Sequence, residues 1–208
     1  MPKKSAAELL ANWQAMCHYE QKLWQQGINL VAGLDEAGRG PLAGPVLAAA
    51  VILPADAYIP GLNDSKKLTE KKRLELEPLI KEQALAWAVG LANHAVIDKI
   101  NILEATKLAM LRALERLAAQ PQHLLIDALD LGLKTPQTKL LKGDSVSVSI
   151  AAASVLAKNQ RDRIMQNFAL YYPAYGFDKH KGYPSAAHKA AIAEYGLSPI
   201  HRQTFRSV

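Results

Sequence analysis

Cysteine is almost missing from this chain. Its single occurrence, Cys17, excludes an internal disulfide framework and any cysteine-rich zinc site. Also missing is an uninterrupted apolar run long enough to span a bilayer. Lys3 and Lys4 lie near the N-terminus, but Glu8, Asn12, Gln14, His18, Glu20 and Gln21 follow, which is too polar for the hydrophobic region of a signal peptide. A cytoplasmic protein with no membrane association is the expectation. No internal repeat, low-complexity tract or domain linker breaks the 208 residues, enough for one domain with a real core. Trp13, Trp24 and Trp87 are spaced as packing residues, not as a base-stacking platform.

Positive charge is what the chain has in excess, and it is unevenly placed. The formal net charge is +6, from 25 Lys and Arg against 19 Asp and Glu. Residues 1–100 hold 11 of each sign, so the whole excess lies in residues 101–208. Within that half, residues 134–208 carry 11 basic and 4 acidic side chains. A basic half suggests a polyanionic partner, nucleic acid first, although solubility alone can account for such a charge.

Hydrophobic spacing organises the chain. Residues 6–25 set Leu9, Leu10, Trp13, Met16, Tyr19 and Leu23 at helical spacing, with Ser5 and Glu8 as a capping box and Gly27 as a stop. This predicts one amphipathic helix on the outside of the domain, with Cys17 as a buried small hydrophobe. Residues 29–34 and 45–53 read as buried strands, and their short connection argues for an antiparallel pair. A loop over 54–68 leads to a helix from about Thr69, kinked or broken at Pro78. A third strand is expected at 84–92, and Asn101 with Glu104 is an N-cap opening a periodic helix. His123 to Asp127 reads as a strand ending on a carboxylate, and 136–141 as a weaker one. Ser147 caps a long helix to about Phe168, and a last helix runs from Pro184 to Tyr195. Together these describe an α/β domain around a mixed β-sheet flanked by helices.

The chemistry gathers at element ends. Asp35 and Glu36 follow directly on an apolar strand, inside Gly33-Leu34-Asp35-Glu36-Ala37-Gly38-Arg39-Gly40. Alone, the pair reads equally well as a solvated turn. Asp127 closes a second strand and Asp144 precedes the long helix, and each alone could be a capping residue. Jointly, separated acids without cysteine or paired histidine ligands suit hard divalent cations held by oxygen. Sites of that kind often bind two metals that clamp the attacking and leaving oxygens of a phosphodiester.

The same stretches closely resemble the bacterial ribonuclease HII family, a type 2 ribonuclease H, from about residue 29 onward. Besides Gly33–Gly40, the matching motifs are Gly61-Leu62-Asn63-Asp64-Ser65-Lys66-Lys67-Leu68, Leu125-Ile126-Asp127 and Lys142-Gly143-Asp144-Ser145. Ala152 to Lys158 with Arg161-Asp162, and Tyr175-Gly176-Phe177 through His180-Lys181-Gly182-Tyr183-Pro184, complete the set. The resemblance implies an RNase H-like fold with a small helical C-terminal part, residues 29–208 forming the catalytic domain and residues 1–28 an N-terminal helix outside it. It implies a monomeric endoribonuclease that cuts the RNA strand of RNA–DNA hybrids, and cuts 5′ of single ribonucleotides embedded in duplex DNA. Asp35, Glu36, Asp127 and Asp144 would hold two Mn2+ or Mg2+ ions, leaving 3′-hydroxyl and 5′-phosphate ends. Gly38, Arg39 and Gly40 would read the ribose 2′-OH through closely approaching backbone, and Tyr183 would stack on the following deoxyribose. Arg39 favours the HII branch over the sister HIII branch, which carries lysine there.

Two departures accompany the match. Ala128 follows Asp127 where the family often has glycine, and Asp130 adds an acid expected to be a bystander. Lys66, Lys67 and Lys158 are candidate phosphate contacts, and Lys179, His180 and Lys181 a candidate phosphate-positioning cluster. His188 reads as structural. A non-catalytic binder on the same scaffold could dispense with the four acids. A resolvase or integrase would have no reason to carry Gly38-Arg39-Gly40 together with Gly182-Tyr183-Pro184.

Overall fold

The computed structural model of the chain describes residues 5–205. Its helices are α1 (Ala6–Met16), α2 (His18–Trp24), α3 (Glu70–Gln83), α4 (His94–Glu115), α5 (Val148–Tyr171), α6 (Phe177–His180) and α7 (Ala186–Tyr195). Five strands form one sheet: β1 (Val31–Ala37), β2 (Val46–Ile52), β3 (Ala86–Ala92), β4 (His123–Asp127) and β5 (Gln137–Leu140), in the order β3-β2-β1-β4-β5. β1, β2 and β3 pair antiparallel, as the short connection between the first two demands; β4 runs parallel to β1, and β5 parallel to β4.

Helices cover both faces of this mixed sheet, which is why every residue of β2 is buried. On one face Ala32, Leu34, Ala48, Ala50 and Ile126 meet Ala105, Ala109 and Met110 of α4. On the other, Ala37, Ala49 and Val51 meet Ala152, Val155 and Leu156 of α5, with Leu76 and Ile80 of α3 beyond. Gly33 makes the second contact close: a Cβ there would lie 2.1 Å from the Ser149 backbone. The start of α5 therefore rests directly on the strand that carries Asp35. A smaller cluster of Ala43, Met165, Tyr175, Phe177, Ala191 and Ile200 joins α6 and α7 to this body.

The structure differs from the sequence reading in four places. The N-terminal helix breaks at Cys17 (φ −79°, ψ 2°) into α1 and α2. The break turns Glu20 inward, where it is fully buried and accepts hydrogen bonds from Ser147 Oγ (2.5 Å) and Ser149 N (3.0 Å). Those donors open α5, and a helix N-terminus, with its unpaired N–H groups and positive dipole end, favours a carboxylate. Second, a helical turn capped by Asn93 precedes Asn101. Asn101 is itself a cap at φ 67°, ψ 168°, its Oδ1 accepting from the N–H groups of Leu103 and Glu104. Third, α3 runs through Pro78 without ending, which excludes the break, one of the two alternatives expected there. Fourth, Trp87 is 39% exposed on edge strand β3, with the Lys81 ammonium 4.6 Å from its ring centroid, so it is a surface residue and not part of the core. Cys17 is buried as expected. No helix among the described residues is long and apolar enough to cross a membrane.

Candidate active site

Parallel pairing of β1 with β4 brings two of the acids to adjacent strand ends, since Leu34 pairs with Ile126 and each strand continues into its carboxylate. Alternation along the strands turns Asp35 and Asp127 toward α5, the face shared with Gly33 and Leu125. Glu36 leaves β1 from the opposite pleat at the open end. Its neighbours across the sheet are small: Asp35 pairs with Ala49 and Glu36 with Ala48. Asp144 comes from the 3-10 turn Gly143–Ser145 ahead of α5, and that turn is tied to β4 by the Gly143 N–H donating to Asp127 Oδ1 at 2.7 Å.

These carboxyls are crowded and poorly solvated. Asp35 and Asp144 are 3% and 2% exposed. Burial foremost, then the charges of Glu36 and Asp127, hold the Asp35 carboxyl well above the usual range, against hydrogen bonds from Ser154 and the Glu36 N–H. Burial also raises Glu36, with Arg39 opposing and Asp127 reinforcing. Asp144 is pushed up to about 6, by burial first and by its neighbour Asp64. Two buried oxygens, Glu36 Oε2 and Asp144 Oδ2, have no hydrogen-bond partner.

That combination fits a hard divalent cation. The donors are all carboxylate oxygens, two of them without a hydrogen-bond partner among the described residues, and the raised pKa values record burial first and the mutual repulsion of neighbouring acids second. Among the described residues, no three His, Cys, Asp or Glu side chains are gathered into a finished cage. The balancing charges are Arg39, whose Nη1 lies 3.5 Å from Glu36 Oε1, and Lys66, whose Nζ lies 3.7 Å from Asp144 Oδ2. Lys66 leans toward the acids from a side chain that is 80% exposed.

Beside the acids opens a groove of about 220 Å³ walled by Glu36, Gly38, Arg39, Gly40, Lys66, Lys158 and Tyr183, together with Ser65 and Ser154. Seven of the ten residues singled out from the sequence thus share one wall; Asp35, Asp127 and Asp144 adjoin it through Glu36 and Lys66. Lys158 donates to Asp162 Oδ1 at 2.5 Å, which orients its ammonium. Tyr183 is 42% exposed. A cavity of about 590 Å³ between α1 and residues 60–72 is larger, but it has no acid in its wall.

The Lys179–Lys181 cluster is corrected by the structure. His180 stacks on His188 with ring centroids 4.4 Å apart, and Lys181 is buried with its ammonium donating to the Asp178 carbonyl. Only Lys179 of the three is exposed. His188 is structural, as read: it is fully buried and contacts His201 and the Tyr183 carbonyl. Asp130 is also a bystander, accepting from the Gly132 N–H at 2.7 Å.

Sequence reasoning passed over four residues here. Asp64 caps the Ser65–Lys67 turn and helps to raise the Asp144 carboxyl. Ser154 donates to or accepts from Ser65 at 2.8 Å while reaching Asp35. Both stand in motifs already matched, and that was the available signal. Arg161, which stands in a matched motif, and Arg202, which stands in none, are buried behind residues 38–45, and no local pattern announces the burial of either.

Comparison with known proteins agrees on one family. A family model described as ribonuclease HII matches residues 32–208. A ribonuclease HII of Geobacillus sp. (strain WCH70) is 52% identical over 99% of this chain and 74% of its own length. One from Desulfitobacterium hafniense is 56% identical over 94% of this chain and 75% of its own. Among solved structures, ribonuclease H2 from Pyrococcus horikoshii superposes with a TM-score of 0.70 at 29% identity, covering 85% of this chain and 94% of that one. The sheet order and flanking helices are thus those of an RNase H-like fold.

Proposed function

Because the chain belongs to the ribonuclease HII family, metal-dependent endoribonucleases acting on RNA–DNA hybrids, we propose that it also cuts 5′ of a single ribonucleotide embedded in duplex DNA, leaving 3′-hydroxyl and 5′-phosphate ends. The observation that carries this reading is the adjacency of a buried, under-compensated carboxylate cluster to a groove walled by Gly38, Arg39, Gly40 and Tyr183. One feature cleaves phosphodiesters and the other recognises a sugar; together they specify where the cut falls.

Asp35, Glu36, Asp127 and Asp144 would hold the cations, two Mg2+ or Mn2+ ions in this reading. When bound, the ions supply positive charge for activating the attacking water and for stabilising the departing 3′ oxygen. The rest is done by the chain. The N–H groups of Gly38, Arg39 and Gly40 donate to no internal acceptor among the described residues, so all are free for a ribose 2′-OH. Tyr183 offers its ring to the next sugar, where a missing hydroxyl lets it pack closely. Lys158 and Lys66 flank the groove as phosphate contacts. Residues 29–208 act as the catalytic domain, with α1 and α2 packed against it, and the enzyme works as a monomer.

The test is a DNA duplex carrying one ribonucleotide, incubated with Mg2+ or Mn2+. The expected product is a single nick immediately 5′ of the ribonucleotide. Cleavage of all-DNA duplex, or a nick elsewhere, contradicts the reading. Asp35→Asn is expected to abolish turnover while leaving duplex binding intact; wild-type cleavage by that variant would remove Asp35 from the cation site.

A further inference from the structure

Two guanidinium groups are buried behind the 38–45 loop with no carboxylate in ion-pair contact among the described residues. Arg161 is 0% and Arg202 2% exposed. Buried charges are normally paired, yet here the partners are all backbone carbonyls. Arg161 donates from Nε to Pro45 O (3.1 Å), from Nη2 to Ala43 O (3.1 Å) and from Nη1 to Lys181 O (2.9 Å). Arg202 donates from Nε to Gly44 O (3.0 Å), from Nη1 to Arg39 O (2.9 Å) and from Nη2 to Gly38 O (2.6 Å).

The consequence follows from peptide geometry. In a trans peptide the carbonyl of one residue and the N–H of the next point in opposite directions. Drawing the Gly38 and Arg39 carbonyls inward onto Arg202 therefore turns the N–H groups of Arg39 and Gly40 outward, where they are unspent. A carbonyl bonded to a cation also polarises its own peptide unit, which makes those N–H groups better donors. Arg161 acts on the other half of the groove. It binds the carbonyl of Lys181 two residues before Tyr183, and its guanidinium carbon lies 5.8 Å from the Tyr183 ring centroid. It also occupies the space beside Gly38, where a Cβ would come within 2.1 Å of its Nε. Arg202 is fixed in turn: its N–H donates to Leu42 O at 2.8 Å, and Asp98 accepts from the N–H groups of Gln203 and Thr204.

We propose that Arg161 and Arg202 form a paired-cation clamp that positions the Gly38–Gly40 peptides and the Tyr183 ring relative to each other, and so set the enzyme's selectivity for a ribose–deoxyribose step without touching the substrate. Both are positioning residues. The inference rests on the reading that these peptides meet a 2′-OH, and it names what aims them.

The test uses Arg202→Lys and Arg161→Lys, which keep the charge but lose the planar fork, with Arg161→Gln as the stronger change. Amide hydrogen exchange of the free full-length protein is expected to speed up in both 38–45 and 181–184 when Arg161 is changed, although the two segments are far apart in sequence. On the single-ribonucleotide duplex, Arg202→Lys is expected to raise KM about tenfold, with kcat less affected and the nick no longer confined to one position. Variants compared at equal folded fraction that keep wild-type KM, nick position and local exchange would overturn the clamp. Should Arg161→Gln fail to fold, the two lysine variants carry the same comparison. If the wild-type enzyme leaves the single ribonucleotide uncut, the functional reading fails instead, while the exchange measurement, made without substrate, still decides the clamp.

Discussion

At Ala128 the backbone turns through φ +54°, directly after Asp127, to carry β4 toward the loop ahead of β5. A left-handed conformation costs an L-residue about 1–2 kcal/mol, and glycine gives back about 0.5–1 kcal/mol of that in unfolded-state entropy. Ala128→Gly is therefore expected to stabilise the protein by about 0.5–1 kcal/mol, read as a higher urea midpoint with an unchanged slope. A lower midpoint would show that the methyl packs to greater effect than the strain opposes. Gly38 presents the opposite case, at φ +98° and with Arg161 against its α-carbon. Gly38→Ala is expected to cost more than tenfold in kcat/KM, on the order of a lost charge-assisted hydrogen bond, with circular dichroism unchanged. Near-wild-type kcat/KM would mean the loop tolerates a shift there.

Among the elements, two buried connections outside the catalytic groove lend themselves to measurement. Glu20 ties α2 to the first turn of α5, and Glu20→Ala removes the acceptor from two buried donors. It is expected to cost about 1–3 kcal/mol, while Glu20→Gln, which keeps an acceptor oxygen, costs less. Equal losses in the two variants would remove the hydrogen bonds from the account. The second connection is the contact of His188 with His201, Nε2 to Nε2 at 3.0 Å. Burial first, then the neighbouring His188, holds His201 down to about 4, from an ordinary value of 6.5. Burial lowers His188 as well. A histidine depressed in the fold binds fewer protons there than when unfolded, so its contribution is complete above pH 6.5 and is lost as pH falls toward about 4. Melting temperature is expected to fall across that window, and less steeply in His201→Gln; parallel slopes would sink the assignment.

The elements also show which physics a sequence exposes. Capping is local, so Ser5 with Glu8, Asn101 and Ser147 are legible, and each makes the bond its spacing implies. The turn at Cys17 is not, because apolar spacing continues through it and what bends the chain is Ser147, 127 residues from Glu20. Trp87 misleads for a related reason. It sits in an apolar strand, but only strand order reveals that this is an edge. The carboxylates are legible because they stand at strand ends or, for Asp144, just ahead of a helix, whereas Arg161 and Arg202 are partnered by carbonyls, which every residue has and no side-chain pattern marks.

For the whole molecule, the uneven charge makes a quantitative statement about binding. Asp35→Asn, held to an RNA–DNA hybrid and titrated with NaCl, is expected to lose affinity linearly on a log–log plot. Replacing Lys158 with methionine should weaken binding to all sequences alike and reduce that slope by about 1. An unchanged slope would mean that Lys158 meets no phosphate and serves only Asp162. The antiparallel half of the sheet assembles from neighbours in sequence, whereas the acidic centre waits for β4, about ninety residues after β1.

The proposed clamp extends that delay to the loop over residues 38–45. Gly38 receives its hydrogen bond from a residue 164 positions later. At a synthesis rate of about 5–20 residues per second, that interval is about ten to thirty seconds. During it, the residues of β1 and β2 have been made, but the donor that draws the Gly38 and Arg39 carbonyls inward has not. If the clamp aims these peptides, a chain still being translated lacks an organised 38–45 loop until Arg202 has been added.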